Sequence, residues 1–147
     1  MKYDPDLPWR DLTGQGFQDL IGPIQLAELA VGTMAFALKL DDRHTNTNGV
    51  CHGGVIMSVA DSAMGACAFA GAGSPVATID FECDFLAPGK IGEMLHGTAK
   101  IARKAQHFIF MESDLYSGER RVMRASGIWA VLSKDSAARD ESKLKKS

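Results

Sequence analysis

Apolar and polar positions alternate most regularly between residues 75 and 85. The apolar face of this segment carries Ala77, Ile79, Phe81, Cys83 and Phe85, and the polar face carries Thr78, Asp80, Glu82 and Asp84. Such alternation is typical of a strand that is buried on one side only. The sequence therefore predicts a strand over 75–85 in an antiparallel sheet.

Weaker alternation predicts further strands, which short polar or glycine-containing turns separate. They cover 27–40, 93–103, 107–116 and 121–132. Apolar residues at helical spacing before Gly22 and Pro23 predict one short helix near the start of the chain. Residues 1–10 read as an irregular arm, and 133–147 as a solvated, charged tail. The core of a single domain then spans about 20–132.

A long, almost wholly apolar run follows the first long strand and predicts a helix over 53–70. The run approaches the length of a membrane span, but alanine, glycine and serine dominate it and Asp61 interrupts it. A buried core helix is therefore the better interpretation. Short connections between the last four strands favour antiparallel neighbours, so the helix must pack on one face of a single sheet. The predicted class is α+β.

Composition excludes only a few classes of protein. The chain has 147 residues, 46% of them apolar and 23% charged, with a net charge of −2. These values suit one globular domain and give no electrostatic case for binding nucleic acid or an anionic membrane. Three widely spaced cysteines without a CxxC pair predict neither a disulfide framework nor a zinc site. Together with the lack of an apolar leader segment, they favour a cytoplasmic location.

Two unusual features occur in the predicted long helix. Its glycine-rich start, Gly53 and Gly54 after His52, leaves backbone N–H groups open where negative charge is favoured. Asp61 is an acid in apolar surroundings, where burial requires a partner or a function. Eight residues separate Gly53 from Asp61, which is ~12 Å along a helix. One copy cannot present both groups to one atom, whereas two copies across a two-fold axis can. A catalytic site here requires at least a dimer.

The pattern Asn46, then Gly49-Val50-Cys51-His52-Gly53-Gly54, then Asp61-Ser62-Ala63 resembles the motif of PaaI-type thioesterases. These phenylacetate-pathway enzymes belong to the hotdog-fold superfamily. Asp80 in an acidic strand, followed by Leu86-Ala87-Pro88-Gly89, adds to the likeness. The resemblance covers about 20–132. It implies a hotdog fold, in which an antiparallel sheet wraps around one long central helix, with a short N-terminal helix in addition.

The resemblance also implies an activity and roles for individual residues. The implied reaction is the hydrolysis of an acyl- or aryl-acyl-coenzyme A, which needs no metal and no redox cofactor. Gly53 would donate its N–H to the thioester carbonyl, and Asn46 would help to hold that carbonyl or the water. His52 would orient the loop beside the site. Asp61 of the partner subunit would act as general base or as nucleophile, and Thr78 would position the water.

Each of these residues also has a structural interpretation. Gly53 and Gly54 could simply allow a tight turn into the helix, and for Gly54 this is the favoured interpretation. His52 could be a structural hydrogen-bonding group, and Asn46 could stabilise a turn. Thr78 could simply be a good strand residue, and Asp61, if buried, could cap or cross-link the backbone. The acids of the 75–85 strand are better read as a solvated face than as a metal site, because alternation spreads them apart. A Cys51–His52 nucleophile pair is disfavoured, because neighbours in an extended loop point in different directions.

Two other functions remain open at this point. A non-catalytic acyl-coenzyme A-binding protein would keep the groove without needing Asp61. A hotdog hydratase or dehydratase would need a histidine and a carboxylate to move a proton from carbon. His52 and Asp61 are available for that, although the proline-rich loop and helical glutamate of acyl-carrier dehydratases are absent.

Overall fold

The structure is a computed structural model that describes residues 1–12 and 16–133. The predicted charged tail lies outside the described residues, apart from Ser133. The helices are α1, Phe17–Ile21, and α2, Gly53–Ala72, with a 3-10 turn at Asp42–His44. The strands are β1, Arg10–Leu12; β2, Ile24–Ala30; β3, Thr33–Lys39; β4, Val76–Phe85; β5, Met94–Lys104; β6, Phe108–Ser117; and β7, Arg120–Val131.

The described strands form one antiparallel sheet in the order β1-β2-β3-β5-β6-β7-β4. Helix α2 packs across its inner face and contacts five strands, β3 to β7. This arrangement confirms the predicted α+β architecture of one sheet around one long helix. The expectation that short connections make neighbours of the last four strands is wrong for β4 and β5, because β4 pairs with β7 while β5 pairs with β3 and β6.

The core lies between α2 and the inner face of the sheet. The buried side of the helix consists of Ile56, Val59, Ala60, Ala63, Met64, Cys67 and Ala68. Small residues let the sheet come close: a Cβ at Gly65 would lie 3.2 Å from the indole nitrogen of Trp129. By length and composition alone α2 could also cross a membrane. In the structure it packs against the inner face of the sheet as a core helix, as the sequence predicted.

The predicted strand over 27–40 is wrong in one respect, because the segment contains a hairpin. Strands β2 and β3 pair with each other through a turn at Val31 and Gly32. Gly32 has a φ of 74°, and Val31 is 98% exposed. The rough alternation continues through the turn, so the pattern did not reveal the reversal. Strand β1, at the end of the irregular arm, was also not predicted.

Strand β4 departs from the predicted alternation near its start. A bulge at Ile79 shifts the register, so that Thr78 pairs with Trp129 and Asp80 with Ile128. Directly paired residues share a face of the sheet. Thr78 therefore lies on the helix face with Trp129, whereas the alternation had grouped it with the solvated acids. Strand β4 is also the last strand of the sheet, and its outer edge has no partner among the described residues.

Candidate active site

The start of α2 leaves one backbone donor free. His52 is the N-cap, and its Nδ1 accepts a hydrogen bond of 2.9 Å from the N–H of Gly54. Gly54 thus belongs to the turn, as the sequence favoured. Among the described residues, no acceptor faces the N–H of Gly53. It is therefore available to an oxygen that carries negative charge, at the positive end of the helix dipole.

Asn46 stabilises the loop that leads into the helix. Its side-chain oxygen accepts from the N–H groups of Asn48 and Val50, at 2.9 and 3.3 Å. This is the turn role that the sequence left open. Because the oxygen is fully engaged, the amide nitrogen is turned away from these two donors and can donate to another group.

Asp61 and Thr78 lie together within one chain. The hydroxyl of Thr78 donates to Oδ1 of Asp61 at 2.8 Å. The bulge at Ile79 makes this contact possible, since it brings Thr78 to the helix face. Asp61 itself is only half-buried, whereas the sequence suggested a buried acid. The reason is that β4 is the last strand, so this side of α2 is not fully covered.

The carboxylate of Asp61 opens onto a cavity of about 280 Å³. The residues that line it are Phe17, Met57, Ser58, Asp61, Ser62 and Phe81. The sequence did not predict that Phe17, Met57 and Phe81 line a cavity. Met57 lies one helical turn before Asp61, and that i,i+4 spacing was the only available signal.

Helix α1 forms one wall of this cavity through Phe17, and three side chains fix the end of α1. Arg43 donates to the carbonyls of Leu20 and Gly22 at 3.0 and 2.9 Å, and His44 bonds the carbonyl of Ile21 at 2.8 Å. Asp41 pairs with Arg43, and this hydrogen bond lowers the pKa of Asp41 to about 2. We call Asp41, Arg43 and His44 the α1 clamp. The sequence had assigned no role to His44.

Cys51 does not form a nucleophile pair with His52. Its thiol is buried, and burial raises its pKa to about 11. The thiol therefore stays protonated at neutral pH, and a thiol is a poor nucleophile. The acids of β4 also have ordinary surroundings: Asp84 pairs with Arg124 on β7 at 2.5 Å.

The N–H of Gly53 and the carboxylate of Asp61, both on α2, lie next to opposite ends of strand β4. A Cβ on Gly53 would lie 3.0 Å from the ring of Phe85, while Asp61 contacts Thr78. Strand β4 therefore runs antiparallel to α2, with the donor near its end and the acid near its start. Along the helix the two groups are ~12 Å apart, too far to act on one carbonyl. The free donor and the carboxylate thus lie at two separate positions along β4, whose outer edge has no partner among the described residues.

Comparisons with known proteins identify the family of the chain. The sequence profile of the Thioesterase superfamily matches residues 48–124, more than half of the chain. A Pseudomonas aeruginosa protein named as a candidate esterase is 33% identical over 113 residues, which are 76% of this chain and 84% of that protein. Human acyl-coenzyme A thioesterase 13 is 28% identical over 102 residues, or 69% of this chain and 73% of the human protein.

A solved structure shows the same fold. The Escherichia coli PaaI protein of the phenylacetic acid degradation operon superposes with a TM-score of 0.73 at 20% identity. The superposition covers 79% of this chain and 83% of the E. coli chain. The hotdog fold predicted from the sequence is thereby confirmed.

Proposed function

The chain belongs to the Thioesterase superfamily, and from this we propose that it hydrolyses acyl-coenzyme A thioesters to the free acid and coenzyme A. One observation in the site carries the proposal most directly, namely the 2.8 Å hydrogen bond from Thr78 to Asp61 beside a partly apolar cavity. It provides a carboxylate in a fixed orientation next to a space that suits an apolar acyl chain.

We assign Asp61 the role of general base. Thr78 engages Oδ1, so Oδ2 is free to accept a proton from a water molecule. That water attacks the thioester carbon, and the resulting oxyanion accepts a hydrogen bond from the N–H of Gly53. The carbon–sulfur bond then breaks, the acid is released, and the coenzyme A sulfur takes up a proton.

The amide nitrogen of Asn46 is the proposed second donor to the carbonyl or to the water. His52 acts indirectly in this scheme, because its cap on Gly54 keeps the neighbouring Gly53 at the first position of the helix. No step of this scheme requires a metal or a cofactor. The apolar acyl chain occupies the cavity between Phe17, Met57 and Phe81.

The proposed active unit is a homodimer, with each site shared between two chains. Strand β4 is 10 residues long and lies at the sheet edge, and long unpaired edges attract further strands. Ile79 and Phe85 of this strand are 57% and 53% exposed. If two copies pair antiparallel about a point near Phe81, Phe85 of one copy lies opposite Thr78 of the other. That register brings Gly53 of one chain to Asp61 of the second chain.

The activity is tested with a panel of acyl-coenzyme A thioesters, and hydrolysis is measured as the release of free thiol. We expect the wild type to hydrolyse at least one of them, and Asp61→Asn to reduce kcat by about 10²–10⁴-fold. Asparagine keeps the shape and the contact with Thr78 but cannot take a proton. Asp80→Asn, on the exposed outer face of β4, is the matched control and should retain full activity.

Two results would count against the proposal, each in a different way. Full activity in Asp61→Asn would show that Asp61 is not the general base, although the chain would still be a thioesterase. Binding of coenzyme A without hydrolysis of any acyl chain would identify the chain as a non-catalytic binder.

A further inference from the structure

A second cavity lies on the other side of the sheet, away from α2 and Asp61. It measures about 190 Å³ and lies between the N-terminal arm and the outer face of β2, β3 and β5. Its principal lining residues are Tyr3, Leu7, Trp9, Leu29, Ala35 and His96. An apolar protein cavity of about 150 Å³ is large enough to bind benzene. The space therefore fits one six-membered ring with a small substituent.

The cavity exists because the outer face of the sheet is built from small residues at this point. Ala35 and His96, which lie in the floor of the cavity, pair with Ala27 and Ala37 respectively. All four residues are at most 1% exposed. The arm covers this floor with large aromatic rings, which span the gap without filling it.

His96 is the unexplained polar group of this cavity. Its Nε2 bonds the carbonyl of Gly118 at 2.7 Å and therefore carries the proton of the neutral ring. Its Nδ1 is then a bare acceptor, and it is buried without a partner among the described residues. Buried acceptors are rarely left unpaired, because the loss of hydration is not compensated. Nδ1 of His96, a residue that lines the cavity, thus lacks one hydrogen-bond donor.

The surroundings of His96 select for a flat molecule. Its ring stacks on Tyr116 at 5.8 Å and meets Tyr3 at 5.9 Å, and Tyr3 in turn stacks on Trp9 at 5.6 Å. Aromatic rings prefer such offset or tilted neighbours. The arm is fastened at its start by an exposed ion pair between Lys2 and Glu119, which contributes little stability.

We propose that this cavity is a binding site for a neutral, single-ring aromatic molecule whose O–H or N–H group donates to Nδ1 of His96. None of its lining residues belongs to the proposed catalytic site. The proposal therefore stands independently of the thioesterase activity.

Titration of the full-length protein with phenol and with toluene tests the site. The two molecules have nearly the same shape, but only phenol has a donor. With histidine labelled by ¹⁵N, phenol should shift the Nδ1 resonance of His96 in a saturable manner. Toluene should bind about tenfold more weakly, because it leaves Nδ1 unpaired. Equal or tighter binding of toluene, or no saturable shift with phenol, would overturn the proposal.

Two variants keep the test independent of folding defects. Ala35→Leu fills the cavity and should abolish phenol binding, while the same substitution at the exposed Ala102 should leave it unchanged. His96→Phe keeps a ring but removes the acceptor, so phenol and toluene should bind it equally. In crystals soaked with phenol, a water molecule that remained on Nδ1 would also refute the proposed occupant.

Discussion

At the residue scale, the proposed catalysis depends on the contact between Thr78 and Asp61. The acid was predictable, because a carboxylate in an apolar helix near a glycine-rich start is a conspicuous pattern. The contact was not, because it depends on the bulge at Ile79. A bulge moves a side chain to the other face without any change in the alternation of the sequence. The resemblance to a family pointed to Thr78, although the strand pattern placed it on the wrong face.

The first residue-scale prediction concerns the hydroxyl of Thr78. Thr78→Val keeps the β-branched shape that suits a strand but removes the donor to Asp61. We expect kcat to fall roughly 10–100-fold, since a hydrogen bond to a charged group is worth about 1.5–3 kcal/mol. Thr78→Ser retains the hydroxyl and should recover most of the rate. Steady-state kinetics that showed no difference between these two variants would contradict the role of the hydroxyl.

The second residue-scale prediction concerns His96 and pH. Burial lowers the pKa of His96 below its ordinary value of 6.5, and the positive charge of the amino terminus acts in the same direction. The unfolded chain therefore binds a proton at a higher pH than the folded chain does. The contribution of neutral His96 to the free energy of unfolding is fully present above pH 6.5, and it is lost as the pH falls from 6.5 through the pKa of His96 in the folded state.

Urea denaturation at several pH values measures this effect. In His96→Gln, the decrease in unfolding free energy below pH 6.5 should be smaller than in the wild type. An identical pH dependence in both proteins would show that His96 does not titrate differently in the folded and unfolded states.

At the element scale, the long helix and the last four strands were predicted within a few residues of their observed bounds. Their signals are strong, because each spans many residues with one period and ends at glycine or polar turns. The hairpin of β2 and β3 was missed, since Val31 and Gly32 continue the alternation through the turn. The α1 clamp was missed for another reason. Its partners are backbone carbonyls, which carry no sequence signal.

The clamp leads to a prediction about substrate binding. Arg43→Lys keeps the charge but cannot bridge the carbonyls of Leu20 and Gly22 as a guanidinium does. Helix α1 should then hold Phe17 less firmly against the acyl cavity. We expect KM to rise roughly 3–10-fold with kcat changed less than about twofold, because Asp61 is unaffected.

Arg103→Lys provides the control, since Arg103 is exposed and its side chain has no hydrogen bond among the described residues. It should behave as the wild type. If Arg43→Lys lowered kcat and left KM unchanged, the clamp would have to act on the chemistry and not on the cavity wall.

At the scale of the whole molecule, the separation of Gly53 and Asp61 is the central feature. It was predictable from the sequence, because eight helical residues set a distance that no side chain can span. The proposed route by which two chains bring these groups together was not predictable. It depends on β4 being the last strand of the sheet, which the strand order shows, and on β4 running antiparallel to α2, which the contacts of Gly53 with Phe85 and of Asp61 with Thr78 show. The same strand order leaves exposed apolar side chains along that edge.

Two variants in one mixture test the shared site. Gly53→Pro removes the free N–H at the first helical position, where proline is tolerated, and Asp61→Asn removes the base. Each variant alone should be nearly inactive. Gly53→Ala is the matched control, because it adds a side chain but keeps the N–H group.

The decisive measurement is the thioesterase activity of Gly53→Pro and Asp61→Asn chains co-expressed at equal levels. In randomly assembled dimers, half of the molecules contain both chains, and one of their two sites then has an intact Gly53 and an intact Asp61. A shared site therefore predicts about a quarter of the wild-type activity. Activity no higher than the mean of the two variants alone would contradict a site built from two chains.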